Sequence, residues 1–112
     1  MFYRTKAGGN PIEEFLDALN AKQARKVTMV LRIIEEFERV PKQYFKKLSG
    51  TEDIWEIRIQ EGREIYRLLG FFEGTNRILL VHAFKKKSRK IRSKDLNVAE
   101  SRRRDYLSRN KR

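Results

Sequence analysis

The stretch Ile54-Trp55-Glu56-Ile57-Arg58-Ile59-Gln60-Glu61-Gly62-Arg63-Glu64-Ile65-Tyr66-Arg67-Leu68-Leu69-Gly70-Phe71-Phe72 decides the fold class. Trp55, Ile57 and Ile59 alternate with Glu56, Arg58 and Gln60, the period of a strand with one apolar and one wet face. Glu61-Gly62-Arg63 reads as a tight turn. Ile65 to Phe72 is then mostly apolar on both faces, and so is Ile78 to Phe84 beyond Gly74-Thr75-Asn76. Three strands joined by short turns predict an antiparallel meander whose two apolar strands are the better covered.

Upstream the period lengthens. Ala7-Gly8-Gly9-Asn10-Pro11 is a turn feeding a helix: Asn10 suits the N-cap, and Pro11 suits the first helical position, where its missing N–H has no partner to lose. Glu13 falls where a capping box needs it. Ile12, Phe15, Leu16 and Leu19 share a face. A second helix is expected from about Ala21 to Arg39, with Ala24, Val27, Leu31, Ile34 and Phe37 as its stripe, Asn20 as the punctuation before it and Pro41 as its stop. Residues 11–39 thus read as a helical hairpin. Met1 to Thr5 is a candidate short strand. Downstream, Ser93 is a candidate cap for a basic helix from Lys94 to about Arg109, whose thin stripe of Leu96, Ala99 and Tyr106 or Leu107 predicts weak docking, or docking only on a partner. Helices and strands in blocks give an α+β domain over residues 1–112: an N-terminal helical hairpin packed on one face of a small antiparallel sheet of three or four strands, with a C-terminal basic helix.

Charge is distributed unevenly. The 112 residues carry a net +12, yet residues 85–112 hold 13 Lys/Arg against Asp95, Glu100 and Asp105. The asymmetry points to a polyanion, nucleic acid first, against the plainer alternative of a merely solvated basic tail. With no cysteine there are no disulfides and no thiolate metal site, consistent with a cytoplasmic protein. No apolar run is long enough for a membrane helix, so no membrane partner is expected.

The residue inventory narrows the chemistry. One histidine and no cysteine exclude Cys–His catalysis and most zinc sites, and no Gly-rich loop leads into Lys-Ser or Lys-Thr. No acid cluster falls on strand ends for carboxylate-based metal catalysis, so neither metal nor other cofactor is expected. Lys, Arg, Tyr, Glu and backbone remain, a set suited to cleaving RNA with its own 2′-hydroxyl as nucleophile. That step needs a base near the 2′-oxygen, positive charge around the phosphorane-like transition state and a proton for the leaving 5′-oxygen.

Leu48-Ser49-Gly50, then Ile54-Trp55-Glu56-Ile57-Arg58-Ile59, then Ile65-Tyr66-Arg67-Leu68-Leu69 resemble the strand core of RelE/ParE-superfamily toxins. With Leu79-Leu80-Val81-His82-Ala83-Phe84-Lys85-Lys86-Lys87, the chain is similar to the phage-derived, HigB-like branch. The resemblance implies a toxin of a type II toxin–antitoxin pair, a ribosome-dependent endoribonuclease that cuts mRNA and inhibits translation. Its partners would be mRNA, the ribosome with its rRNA, and a helix-turn-helix antitoxin of the HigA type. By residue, Arg67 matches the arginine placed to contact the scissile phosphate, Arg58 a basic strand residue, and Lys86 in the run after the last strand a further catalytic cation. Glu56 stands where the RelE branch has a lysine, and the tyrosine that follows the last strand in that branch has no clear counterpart.

Each assignment has a plainer rival. Arg67 suits a structural ion pair with Glu56 or Glu64, and Arg58 a solvated outward position. Lys85, Lys87, Arg89, Lys90 and Arg92 are read as phosphate or rRNA contacts, and Arg102, Arg103 and Arg104 as grips on an RNA backbone. Arg109 of the same helix shares that reading. His82, mid-strand, reads as a packed and hydrogen-bonded histidine before a general base. Trp55 reads as core, and Tyr66 as either core or a stacking platform for a base. Two other functions fit: a ParE-like inhibitor of DNA gyrase, and a nucleic-acid-binding module without catalysis.

Overall fold

Asn10 starts the first helix. Its side-chain oxygen accepts from the Glu13 N–H at 3.1 Å, and its side-chain amide N–H donates to Glu13 Oε2 at 3.2 Å. In the computed structural model, which describes residues 1–36, 45–74 and 77–110, this helix is α1, Pro11–Asp17. A reciprocal pair then caps the next helix: the Gln23 N–H donates to the Asn20 side chain at 2.8 Å, and the Asn20 N–H donates to Gln23 Oε1 at 3.1 Å. Helix α2 is Ala21–Glu36 and buries Val27, Val30 and Ile34. The expected continuation to Arg39, with Phe37 in the stripe and Pro41 as the stop, lies outside the described residues.

Four strands follow: β1 Phe45–Lys47, β2 Trp55–Glu61, β3 Glu64–Glu73 and β4 Arg77–Lys85, paired antiparallel in that order. Gly62, at φ 60°, makes the β2–β3 turn in a conformation that side chains resist. Met1 to Thr5 forms no strand of its own, only a parallel bridge between Phe2 and Leu80 on the free edge of β4. A bulge between Leu69 and Gly70 shifts the β3–β4 register. Gly70 is required there, because a Cβ would come within 2.5 Å of the Leu79 carbonyl oxygen.

The helix Ser93–Arg109, α3, docks within the chain, contrary to the expectation of weak docking. The reason lies in the sheet. With apolar residues on both faces of β3 and β4, one helical layer leaves half of them in water. On the first face, α1 and α2 cover Ile57, Ile59, Tyr66, Leu68 and Leu80. On the second, α3 brings Ala99, Leu96 and Tyr106 onto Leu69, Phe71, Leu79 and Val81. Arg92 is the N-cap and makes no side-chain cap bond, so Ser93 is the first helical residue, not the cap. Trp55 stacks on Phe45, with ring centroids 4.8 Å apart, and Tyr66 is buried edge-on to Phe15. Both aromatics therefore pack in the core, and Tyr66 offers no platform for a base. Among the described residues no helix is long and apolar enough to cross a membrane.

Candidate nucleic-acid interface

Strand register sets out the second sheet face. Cross-strand partners share a face, so Lys46, Glu56, Leu69 and His82 form one row, and Arg58, Arg67 and Phe84 the next. The Lys86 N–H donates to the Ile65 carbonyl at 2.7 Å, extending the pairing one step beyond β4. Alternation then returns Lys86 to the face of Phe84. Arg58, Arg67 and Lys86, 28 positions apart at the extremes, thus belong to one face of three adjacent strands. Helix α3 covers that face over β3 and β4 and leaves β2 open at Arg58, whose side chain is 44% exposed.

Glu56 and Arg67 lie beneath this surface, each 2% exposed. The alternation of β2 predicts Glu56 in water; the chain buries it, because the neighbouring strand supplies a cation on the same face. Arg67 Nε lies 3.2 Å from Glu56 Oε2 but out of hydrogen-bond alignment, and Arg58 Nε lies 3.9 Å from Glu56 Oε1. One carboxylate therefore serves two arginines that face each other across β2 and β3, where like charges repel. Arg67 Nη2 also donates to the Arg89 carbonyl at 3.0 Å, bringing the loop after β4 over the sheet. In this arrangement Arg67 is enclosed and does not touch solvent.

Five cations in seven residues, Lys86 to Arg92, make that loop a basic strap. Lys87, Arg89, Lys90 and Arg92 are exposed and have no ion pair among the described residues. Ser88 closes a local turn on the Lys90 carbonyl at 2.6 Å, and Ile91 packs into the apolar layer under α3. Residues 14–104, spanning the hairpin, the sheet, the strap and most of α3, match the model of a family described as phage-derived protein Gp49-like (DUF891). The chain belongs to this Gp49-like family. A comparison with curated proteins finds no match.

Other predicted contacts of the Gp49-like chain are engaged by partners within the chain. Lys85 pairs with Glu64 at 2.9 Å. Arg102 donates to the Val81 carbonyl at 2.7 Å, and Arg103 pairs with Glu52 at 2.8 Å above the ring of Phe71. Arg109 pairs with Asp105, which also accepts from the Tyr3 hydroxyl. Of the α3 arginines predicted to grip RNA, Arg104 and Arg109 are exposed, and of these two Arg104 has no ion pair among the described residues. His82 is packed: its Nε2 is 2.8 Å from Asp95 Oδ1, and burial under α3 pushes its pKa below the usual value despite that carboxylate. The sequence reading missed two residues of the face, Lys46 and Asp95. Lys46 left only a basic dipeptide ahead of Leu48 as a signal, and Asp95 left none, because its partner is thirteen positions away on another element. Among the described residues no three His, Asp or Glu side chains converge as a metal site.

Proposed function

We propose that this Gp49-like protein is a toxin of the RelE/HigB kind, an endoribonuclease that cuts mRNA on the ribosome and is neutralised by a helix-turn-helix antitoxin. The observation that carries the reading is the basic face itself: exposed Arg58 on uncovered β2, next to a strap of unpaired cations and above a buried Glu56–Arg67 pair. Such a face suits the backbone of a single RNA strand, whose phosphates meet fixed positive charge without loss of sequence tolerance.

For 2′-hydroxyl attack, the face supplies electrostatic stabilisation. Charge builds on the non-bridging oxygens as the phosphorus becomes five-coordinate, and cations already in place need no rearrangement at that moment. Arg58 and Lys86 are assigned to those oxygens. Arg67, enclosed behind them and paired with Glu56, reaches the phosphate only if the strap lifts. Lys87, Arg89, Lys90 and Arg92 bind flanking phosphates, and Arg104 extends the contact toward rRNA. The burial of Arg67 favours one second reading, a nucleic-acid-binding module without catalysis.

Primer extension on mRNA in a cell-free translation reaction separates these readings. Cuts within translated codons that need ribosomes, and that vanish with Arg58→Ala, support the nuclease. Intact mRNA despite RNA binding supports the module. Intact mRNA with no RNA binding removes both and directs attention to gyrase supercoiling.

A further inference from the structure

The strap Lys86–Arg92 repels itself, with five cations and no acid in seven residues, yet its backbone lies against the sheet. Its backbone is tied to the rest of the chain where the Lys86 N–H donates to the Ile65 carbonyl and where the Arg89 carbonyl accepts from Arg67. The Arg92 carbonyl accepts from the Asp95 and Leu96 N–H groups of α3, while the Ile91 side chain packs in the layer under α3. The Arg67 bond is the one that reaches the middle of the run, between the ends fixed on β3 and α3. It is a charge-assisted bond from a buried donor, stronger than a neutral one and shielded from competing water. The donor in turn depends on Glu56, the buried carboxylate next to it. Without that carboxylate a guanidinium at this depth is uncompensated and is driven toward solvent.

We propose that Glu56 and Arg67 are positioning residues that act through the Arg89 carbonyl to hold the basic strap flat, as a preformed seat for the phosphates of a single RNA strand. The inference rests on the nucleic-acid reading above and adds to it a role for the buried pair. Glu56 holds Arg67, Arg67 holds the backbone of Arg89, and the backbone spaces Lys87, Arg89 and Lys90. Holding cations in place before binding lowers the entropy lost when RNA arrives, so the pair raises affinity without touching the ligand. It also accounts for an acid in the middle of a basic face, where simple charge complementarity puts none.

The test is NMR on the full chain, free and with a labelled 20-nucleotide single-stranded RNA. In the wild type, the Arg67 Nη protons give resolved, slowly exchanging signals and those of exposed Arg58 do not; equal, fast exchange for both overturns the proposal without any variant. Backbone order parameters for residues 87–91 are expected near 0.8 in wild type and Arg58→Ala, and below about 0.6 in Glu56→Gln and Arg67→Lys, with β3 and β4 unchanged. Glu56→Asp, which restores a carboxylate, recovers part of the order. RNA affinity falls roughly fivefold in Glu56→Gln although every strap cation remains. A strap that stays ordered in both Glu56→Gln and Arg67→Lys overturns the proposal, as does a disordered strap that binds RNA as tightly as wild type. If wild-type protein with an ordered strap binds no RNA, it is the nucleic-acid reading that fails.

Discussion

Arg67→Met is the substitution whose cost follows most directly from the fold. Methionine reproduces the unbranched apolar stem of arginine as far as Nε but removes the charge facing Glu56 and the donor to the Arg89 carbonyl. Glu56 is then a carboxylate 2% exposed whose remaining cation is Arg58, 3.9 Å away. The Arg58 side chain is 44% exposed, so its attraction is screened and offsets about 1 kcal/mol at most. Breaking a buried pair from one side costs about 3–5 kcal/mol, and with that partial relief about 3 kcal/mol is expected. In a domain of this size that lowers Tm by roughly 10–15 °C. The diagnostic variant is Glu56→Gln/Arg67→Met, which removes both charges. Urea titrations followed by Trp55 fluorescence on the wild type, both single variants and the double variant give the coupling, expected to be about 2 kcal/mol with the double variant well above the additive value. Additivity to within about 0.5 kcal/mol refutes the claim that these groups hold each other in place.

Other expectations follow from the same geometry. Arg58→Ala, at an exposed position, leaves the unfolding free energy from urea titration within about 1 kcal/mol of wild type while abolishing codon-internal cuts in primer extension. Replacing Lys87 or Lys90 by Ala weakens RNA binding across all sequences and lowers the slope of log K against log salt by roughly 0.7 each, measured by fluorescence anisotropy between low and moderate salt. Gly70→Ala drives a methyl against the Leu79 carbonyl and is expected to cost roughly 1–3 kcal/mol, seen as a lower Tm with RNA affinity unchanged per folded molecule. Burial holds the pKa of His82 below its ordinary 6.5, with Lys94 and Arg102 of α3 adding to the shift and Asp95 opposing it. Because the folded value is the lower one, the unfolded chain takes the proton first. Stability is therefore fully present above pH 6.5 and falls as pH drops through the folded value. Melting curves at pH 7.5 and pH 5.5 are expected to show a smaller loss for His82→Gln than for wild type; a larger loss in the variant contradicts the burial argument.

Much of the architecture was legible because it rests on local rules. The caps at Asn10 and Asn20, the switch from a helical to a two-residue period at Ile54, and the turn at Gly62 each depend on a few neighbouring residues. Hence the hairpin, the meander and the last helix emerge in order. Short β1 was indistinct, because three residues with two lysines carry no period, and its partner β2 is what makes it a strand. The docking of α3 was misread for a related reason. Its stripe is thin, but the apolar residues that need it belong to β3 and β4, and only their pairing presents Leu69, Phe71, Leu79 and Val81 as a continuous surface.

The sequence by itself determined the α+β class, the order of elements and the concentration of positive charge after β4, since propensity, period and net charge are properties of short segments. Membership of the Gp49-like family, too, resides in the sequence. Tertiary structure alone decided which of those charges are free. Arg67, Arg102 and Arg103 look like Arg104 along the chain, yet the first three are tied to Glu56, the Val81 carbonyl and Glu52, while Arg58 shares Glu56 from an exposed position. It also decided that Glu56, outward by alternation, is buried between two arginines. The physical reason is that burial of a charge depends on a partner and a cover contributed by distant segments, and the energy of that pairing is invisible until the strands stand side by side.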